Sequence, residues 1–387
     1  MDDGERMGLI YVLVSNDIVH DQRVKKTCES LQRLGWDVVV LGRDLPESDP
    51  LPAEAHFLRF VRLRLGFRRG AFFYASLQFR FLVHLLFRKM DGIWANDLDT
   101  LLPAFLVSRL RGIPLVYDSH EFFTEAAGLT GRPFQRWVWL QVERAIQPRL
   151  RVVLTVNPSI ARLLHARYPH SQSGLPLVLR NMPRRVPREA VTPRQAFQEV
   201  GIPVDLPIAL LQGAFMDADR GIREAVEAVR NQEGFRLVLI GAGEEWNWAA
   251  GMVEAPGLQG WLFCLPKMPF SILRRFTASA DVGLSLDRAL HGNYLLSLPN
   301  KLFDYIHAGI PVVASALPEV EAVVRENGVG RVVTEPTPEA IRTAIEETLA
   351  VPRAHWSQAC ESASSHLHWE ADEPQIAKAL EQAGFRS

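Results

Sequence analysis

Short apolar, β-branched runs alternate with longer amphipathic stretches along almost the whole chain, and this alternation limits the possible folds more than any other feature. Such runs suit buried strands, and the stretches between them suit helices that cover a parallel sheet. Residues 9–15 read as a first strand, 22–34 as a helix closed by Gly35, and 37–41 as a second strand. Residues 92–95, 115–118 and 152–156 continue the strands, with a helix over 100–110. A second series follows: strand 208–212, helix 222–230, strands 236–240 and 282–286, helix 301–308 and strand 311–315. The expected fold class is α/β, with two Rossmann-like, doubly wound domains.

At 387 residues the chain is too long for one ordinary core. The stretch RNMPRRVPREAVTP, from Arg180, is rich in proline and charge, lacks apolar periodicity and reads as an interdomain linker. The boundaries expected are 1–183 for the first domain and 184–370 for the second. Residues 371–387 are expected to form a C-terminal helix, opened by Pro374, that packs back on the first domain. Two such domains would place a ligand cleft between them, and ligands bind beyond the carboxyl ends of parallel strands.

The formal net charge is -1, so no global basic excess points to nucleic acid. Cys28, Cys264 and Cys360 are far apart, without metal or redox spacing, which fits a reducing compartment. The acidic start MDDGERMGLIYVLVS lacks the basic residues and cleavage site of a secretory signal. No uncharged apolar run approaches the ~20 residues that span a bilayer. A cytoplasmic protein is expected, with room for a peripheral position on the membrane's inner face.

The strongest chemical constellation is SLPNKLFDYIHAGIPVVAS, residues 297–315. Pro299 suits the first turn of a helix, because its missing N–H would be unpaired there. The free N–H groups of that turn and the positive end of the helix dipole form an anion site. Asn300 and Lys301 add donors and charge at the same end, and Asp304, one turn on, can reach vicinal hydroxyls as a carboxylate does on a ribose. Gly309 ends the helix. By itself this is a well-capped helix.

The segment PNKLFDYIHAGIPVVAS resembles the sugar-nucleotide-binding segment of family 4 glycosyltransferases, group 1 type, which have the GT-B fold. NDLDTLLPAFLVSRLRGIPLVYDSHE, from Asn96, looks like the segment of that family's first domain that carries a histidine at the cleft. VLTVNPSIARLL, LRNMP, LQGAFMDADRGIREAVEA and LVLIGAGEE follow in the family's order. The likeness implies retaining, metal-independent transfer from a UDP-, GDP- or other nucleoside diphosphate sugar, without a cofactor. The acceptor implied is a glycan, a lipid-linked saccharide or a small molecule. Asp304 matches the second acid of the family's paired-glutamate motif, which holds the nucleotide ribose, but is one methylene shorter. The first acid falls at Leu296, leaving its sugar contact to Asn293, to the backbone around Ser297, or unmade. Arg220 matches the basic residue on the donor diphosphate, beyond the loop glycine Gly213; the family's second arginine falls at Ala214, with Lys301 or Arg180 as substitutes. Gly241-Ala242-Gly243 corresponds to a glycine pair near the nucleotide base and is too short a fragment to suggest NAD.

His120 ends the strand LVYDS and matches the family's histidine that touches the transferred sugar or the acceptor; Asp118 and Glu121 orient it or cap the next helix. Asp21 reads as an N-cap and Arg23 as either a solvent-facing arginine or a phosphate contact. Asp99 reads as the N-cap of helix 100–110, and Asp97 as a residue lining the cleft. The uncharged positions Leu296 and Ala214 leave a second reading, a catalytically weak partner subunit that binds a nucleotide. An epimerase acting on a sugar nucleotide is a third.

Residues 56–90 carry Arg59, Arg62, Arg64, Arg68, Arg69, Arg80, Arg88 and Lys89, interleaved with phenylalanine and leucine and free of Asp and Glu. Arginine among aromatics suits the headgroup region of an anionic membrane. The competing reading is an amphipathic helix packed on the first domain.

Overall fold

The computed structural model describes residues 7–16, 18, 21–44, 48, 50–51, 59–67, 70–188, 191–288 and 292–385, without the side chains of 71, 127 and 293. The chain divides into two compact units, Met1–Asn181 with Asp372–Ser387, and Met182–Ala371.

In the first unit the described residues form a parallel sheet of β1 (Gly8–Leu13), β2 (Trp36–Asp44), β3 (Arg59–Arg64), β4 (Gly92–Asn96), β5 (Leu115–Ser119), β6 (Val153–Thr155) and β7 (Leu177–Val178). The order across the sheet is β3-β2-β1-β4-β5-β6-β7, so its winding reverses between β1 and β4. Central strands buried on both faces read as continuous apolar runs, which is why β1, β2 and β4 are legible. The edge strand β3, RFVRLR, lies inside the basic stretch and pairs with β2 along Val39–Asp44. Residues 56–90 are therefore not one helix: β3 comes first, and a helix spans Gly70–Leu86. His56, Arg68 and Arg69 lie outside the described residues. The last helix, Pro374–Ala383, belongs to this unit and buries Ile376, Ala379 and Ala383. Phe385 then meets Trp36 edge-on at 5.2 Å, over Gly92, where a Cβ would lie 2.2 Å from the Phe385 ring.

The second unit repeats the plan with β8 (Ile208–Gly213), β9 (Arg236–Gly241), β10 (Leu262–Pro266), β11 (Val282–Ser285), β12 (Val312–Ser315) and β13 (Gly330–Val333). Its order is β10-β9-β8-β11-β12-β13, all parallel, reversing between β8 and β11. One core face holds Leu210, Ile240, Phe303 and Tyr305; the other holds Leu211, Leu239, Val226 and Ile345. The two Rossmann-like, doubly wound α/β sheets expected from the alternation are thus present. The pattern passed over β3, β7, β10 and β13, which are short or only partly buried.

Candidate functional site

Doubly wound sheets hold ligands where the strand order reverses. In the second unit that point lies between the carboxyl ends of β8 and β11, and the chemistry gathers there. Two residues past β11, Asp287 is completely buried. Arg220 donates to its Oδ1 from Nη1 at 2.8 Å, and Lys301 Nζ lies 3.1 Å from its Oδ2. A buried carboxylate needs such partners to stay ionised. Burial pushes the Asp287 pKa up, but Lys301 and Arg220 outweigh it and hold it low. Burial lowers the Lys301 pKa, with Asp287 opposing. Two cations on one carboxylate leave a net positive charge, which is what a diphosphate requires.

The loop after β8 comes close to β11's extension. Arg288 N–H donates to Asp219 O at 2.8 Å, and Gly221, with φ 68°, lies so near Leu286 that a Cβ would sit 2.5 Å from its carbonyl oxygen. That loop presents Arg220, whose guanidinium also stands 5.1 Å from the Tyr294 ring centre.

A helix spans Asn300–Ala308 and ends at Gly309, left-handed at φ 78°. Pro299 is its N-cap residue rather than part of its first turn, and its carbonyl accepts from Leu302 N–H. The amides of Asn300 and Lys301 open the helix, where free donors and the dipole favour an anion. Asp304 follows one turn later. Gln212 Nε2 donates to its Oδ2 at 3.3 Å, and Thr277 Oγ1 donates to Gln212 Oε1 at 2.7 Å, fixing the amide. Tyr305 closes the same corner by donating to Leu210 O and Leu284 O, bridging β8 and β11. Gly213 and Gly241 end adjacent strands and are register partners. Thus Arg220, Lys301, Asn300 and Asp304 gather around the carboxyl ends of β8 and β11. Leu296 and Ala214 bring no charge, and the side chain of Asn293 lies outside the described residues.

The first unit has its own cluster at the β1/β4 reversal. Asn96 Nδ2 donates to Leu13 O at 2.8 Å, tying the two strand ends together, and its Oδ1 lies 3.1 Å from His120 Nε2. His120 directly follows β5. Its backbone N–H donates to Asp97 Oδ1 at 2.8 Å, and its ring nitrogens lie 3.5 Å from Asp97 Oδ2 and Asp118 Oδ2. Burial lowers the His120 pKa, but Asp97 and Asp118 outweigh it and raise it to about 9, so the ring is a cation near neutral pH. Desolvation lifts Asp97 to about 7, with His120 pulling the other way. Burial would lift Asp118 too, yet Arg23 and His120 hold it well below the usual carboxylate range. Asp97 also has φ 59° and ψ 165°, a backbone region left almost wholly to glycine and costing a side-chain-bearing residue about 1–3 kcal/mol.

Two more expectations change here. Arg23 is neither solvent-facing nor an open phosphate contact: it is 2% exposed, grips Asp118 through Nε and Nη2, and donates to Leu179 O. Asp99 is not an N-cap, because the helix Leu98–Arg111 begins earlier with Asp97 at the cap position and Asp99 buried in its first turn. Arg180 is held by Asp372 through two side-chain bonds at 2.8–2.9 Å. Asp21 does cap its helix, accepting from Val24 N–H. Asp287 and Gln212 are the residues sequence reading missed. A carboxylate just past a legible strand was the available signal for Asp287.

Two family descriptions cover most of the chain: "Glycosyl transferase 4-like domain" matches residues 21–177, and "Glycosyl transferases group 1" matches residues 213–350. The chain belongs to the group 1 GT-B glycosyltransferases. Among solved structures, sucrose-phosphate synthase from Thermosynechococcus elongatus is similar at TM-score 0.77 and 19% identity, covering 97% of this chain and 98% of that one. Anabaena HepE in complex with UDP-glucose gives 0.72 and 15%, covering 97% and 99%. WaaG, a glycosyltransferase involved in lipopolysaccharide biosynthesis, gives 0.68 and 14%, covering 97% and 100%. No curated protein matches the sequence.

Proposed function

We propose that this glycosyltransferase moves a sugar from a nucleoside diphosphate sugar to a glycan, a lipid-linked saccharide or a small molecule, with retention at the anomeric carbon. The Asp287-bridged pair of Arg220 and Lys301, beside the N-terminus of helix Asn300–Ala308, carries this reading. Transfer leaves negative charge on the departing diphosphate, and fixed donors aimed at that charge lower the barrier. Arg220, Lys301 and the first helix amides would meet the diphosphate, and Asp304 the ribose hydroxyls. Cations supplied by the chain remove the need for a metal or cofactor at that step. Cationic His120 would donate to a hydroxyl of the transferred sugar or acceptor, while Asp97, raised to about 7, can take a proton. Similarity to a structure holding UDP-glucose supports a uridine donor. Peripheral contact with an anionic membrane through residues 56–90 belongs with this reading and would suit a lipid-linked acceptor.

Donor hydrolysis and nucleotide titration across UDP-, GDP- and ADP-sugars test the proposal. Arg220→Ala should weaken nucleotide binding about tenfold or more, as loss of a charge-assisted contact does; unchanged affinity would reject the assignment. His120→Ala should depress transfer with nucleotide affinity retained. The uncharged Leu296 favours one second reading, a nucleotide-binding partner subunit, which tight binding without turnover would support.

A further inference from the structure

The helix Gly70–Leu86 is apolar on two opposite faces. Phe73, Leu77, Phe81 and Leu85, at four-residue spacing, are at most 7% exposed and form its core face. Phe72, Phe79, Val83 and Phe87 form the other stripe and are 72%, 66%, 37% and 82% exposed. At 100° per residue Phe72, Phe79 and Val83 lie within about 40° of one another on the helix surface, and Phe87 comes immediately after the helix's last residue. Phe67, 54% exposed, adds its ring 5.5 Å from that of Phe72. Isolated exposed apolar residues are ordinary, but an aligned row of phenylalanines on one helix marks an interaction surface.

The charges around the row choose its partner. Arg80 flanks it, and Arg88 and Lys89 follow its last phenylalanine, all three exposed. No Asp or Glu occurs between residues 56 and 90. Two copies seated face to face on this row would set these cations against their counterparts. An acidic bilayer surface offers the opposite charge and an apolar layer just beneath it. No helix among the described residues is long and apolar enough to cross a membrane, so this one would lie in the interface plane. We infer that the outer face of helix Gly70–Leu86 docks on an anionic lipid surface, with Phe72, Phe79 and Phe87 entering the acyl boundary and Arg80, Arg88 and Lys89 at the phosphates. The inference deepens the peripheral-contact reading above and rests on it, but is independent of the donor site.

Co-sedimentation of the full chain with phosphatidylcholine vesicles, with and without phosphatidylglycerol, is the test. At low salt the chain should pellet with anionic vesicles and partition about tenfold less onto neutral ones. The variant Phe72→Ser/Phe79→Ser/Phe87→Ser should lose at least about tenfold of that binding, and Arg80→Glu/Arg88→Glu/Lys89→Glu should lose the preference for anionic lipid. Absence of anionic-vesicle binding, or undiminished binding by the serine variant, would overturn the inference. So would a dimer in sedimentation velocity that the serine variant dissolves and vesicles do not displace. UDP titration of each variant separates the two proposals: retained UDP affinity with lost vesicle binding concerns this face alone, whereas absent UDP affinity in the unmodified chain concerns the donor site.

Discussion

A carboxylate without exposure, set between two cations as Asp287 is between Arg220 and Lys301, aims both before any ligand arrives. Breaking one partner of such a buried set leaves the others uncompensated, at a cost of about 3–5 kcal/mol. Asp287→Asn should therefore lower the unfolding free energy by about 3 kcal/mol in denaturant titrations and weaken UDP binding about tenfold in calorimetry. Undiminished UDP affinity would show that Arg220 and Lys301 need no such aim. In the other cluster the sign of the pH effect is fixed by His120. Its folded pKa, about 9, lies above the unfolded 6.5, so its stabilising contribution is complete below pH 6.5 and is lost as pH rises through about 9. Asp97, raised from 3.8 to about 7, gives a contribution that falls in the same direction, between about pH 4 and 7. Stability of the first unit should decline from pH 6.5 to 9 by at most about 3 kcal/mol, and His120→Gln should flatten that decline in unfolding curves collected across the range.

At the scale of elements, the reversal between β8 and β11 works because the loop after β8 can lie against β11's extension, and Gly221 is the residue that allows it. Gly221→Ala must leave a left-handed φ of 68° and clear Leu286, so thermal and chemical unfolding should show a loss of at least about 2 kcal/mol. Wild-type stability in that variant would mean the loop is not held there. Much of this level was readable. The helix now seen at Asn300–Ala308, its glycine stop and the strand after it follow from cap residues and period. Arg23 was misread because the residue that buries it, Asp118, is 95 positions away, and local pattern does not encode such a pair. Strand β3 stayed hidden because its exposed edge carries arginines where a central strand carries valines. Asp287 was overlooked for a related reason: its partners, 67 and 14 residues distant, converge only once the strand order is known.

The whole chain is a sheet domain interrupted by another, since the first unit is written in two pieces, Met1–Asn181 and Asp372–Ser387. The second piece holds the backbone N–H and guanidinium of Arg180 through Asp372, pairs Glu373 with Arg33, and buries Ile376 and Leu380. Deleting 372–387 should remove on the order of 5 kcal/mol of apolar burial, counting Ile376, Leu380 and Phe385. Differential scanning should then show the first unit melting early, with UDP affinity retained; a single transition at the full-length temperature would contradict this. The discontinuity also orders events during synthesis. A ribosome adding about 5–20 residues per second needs roughly ten to forty seconds to pass from Asn181 to Asp372. Until Phe385 has been added, the flank around Trp36 and Gly92 lacks the ring that covers it in the folded unit.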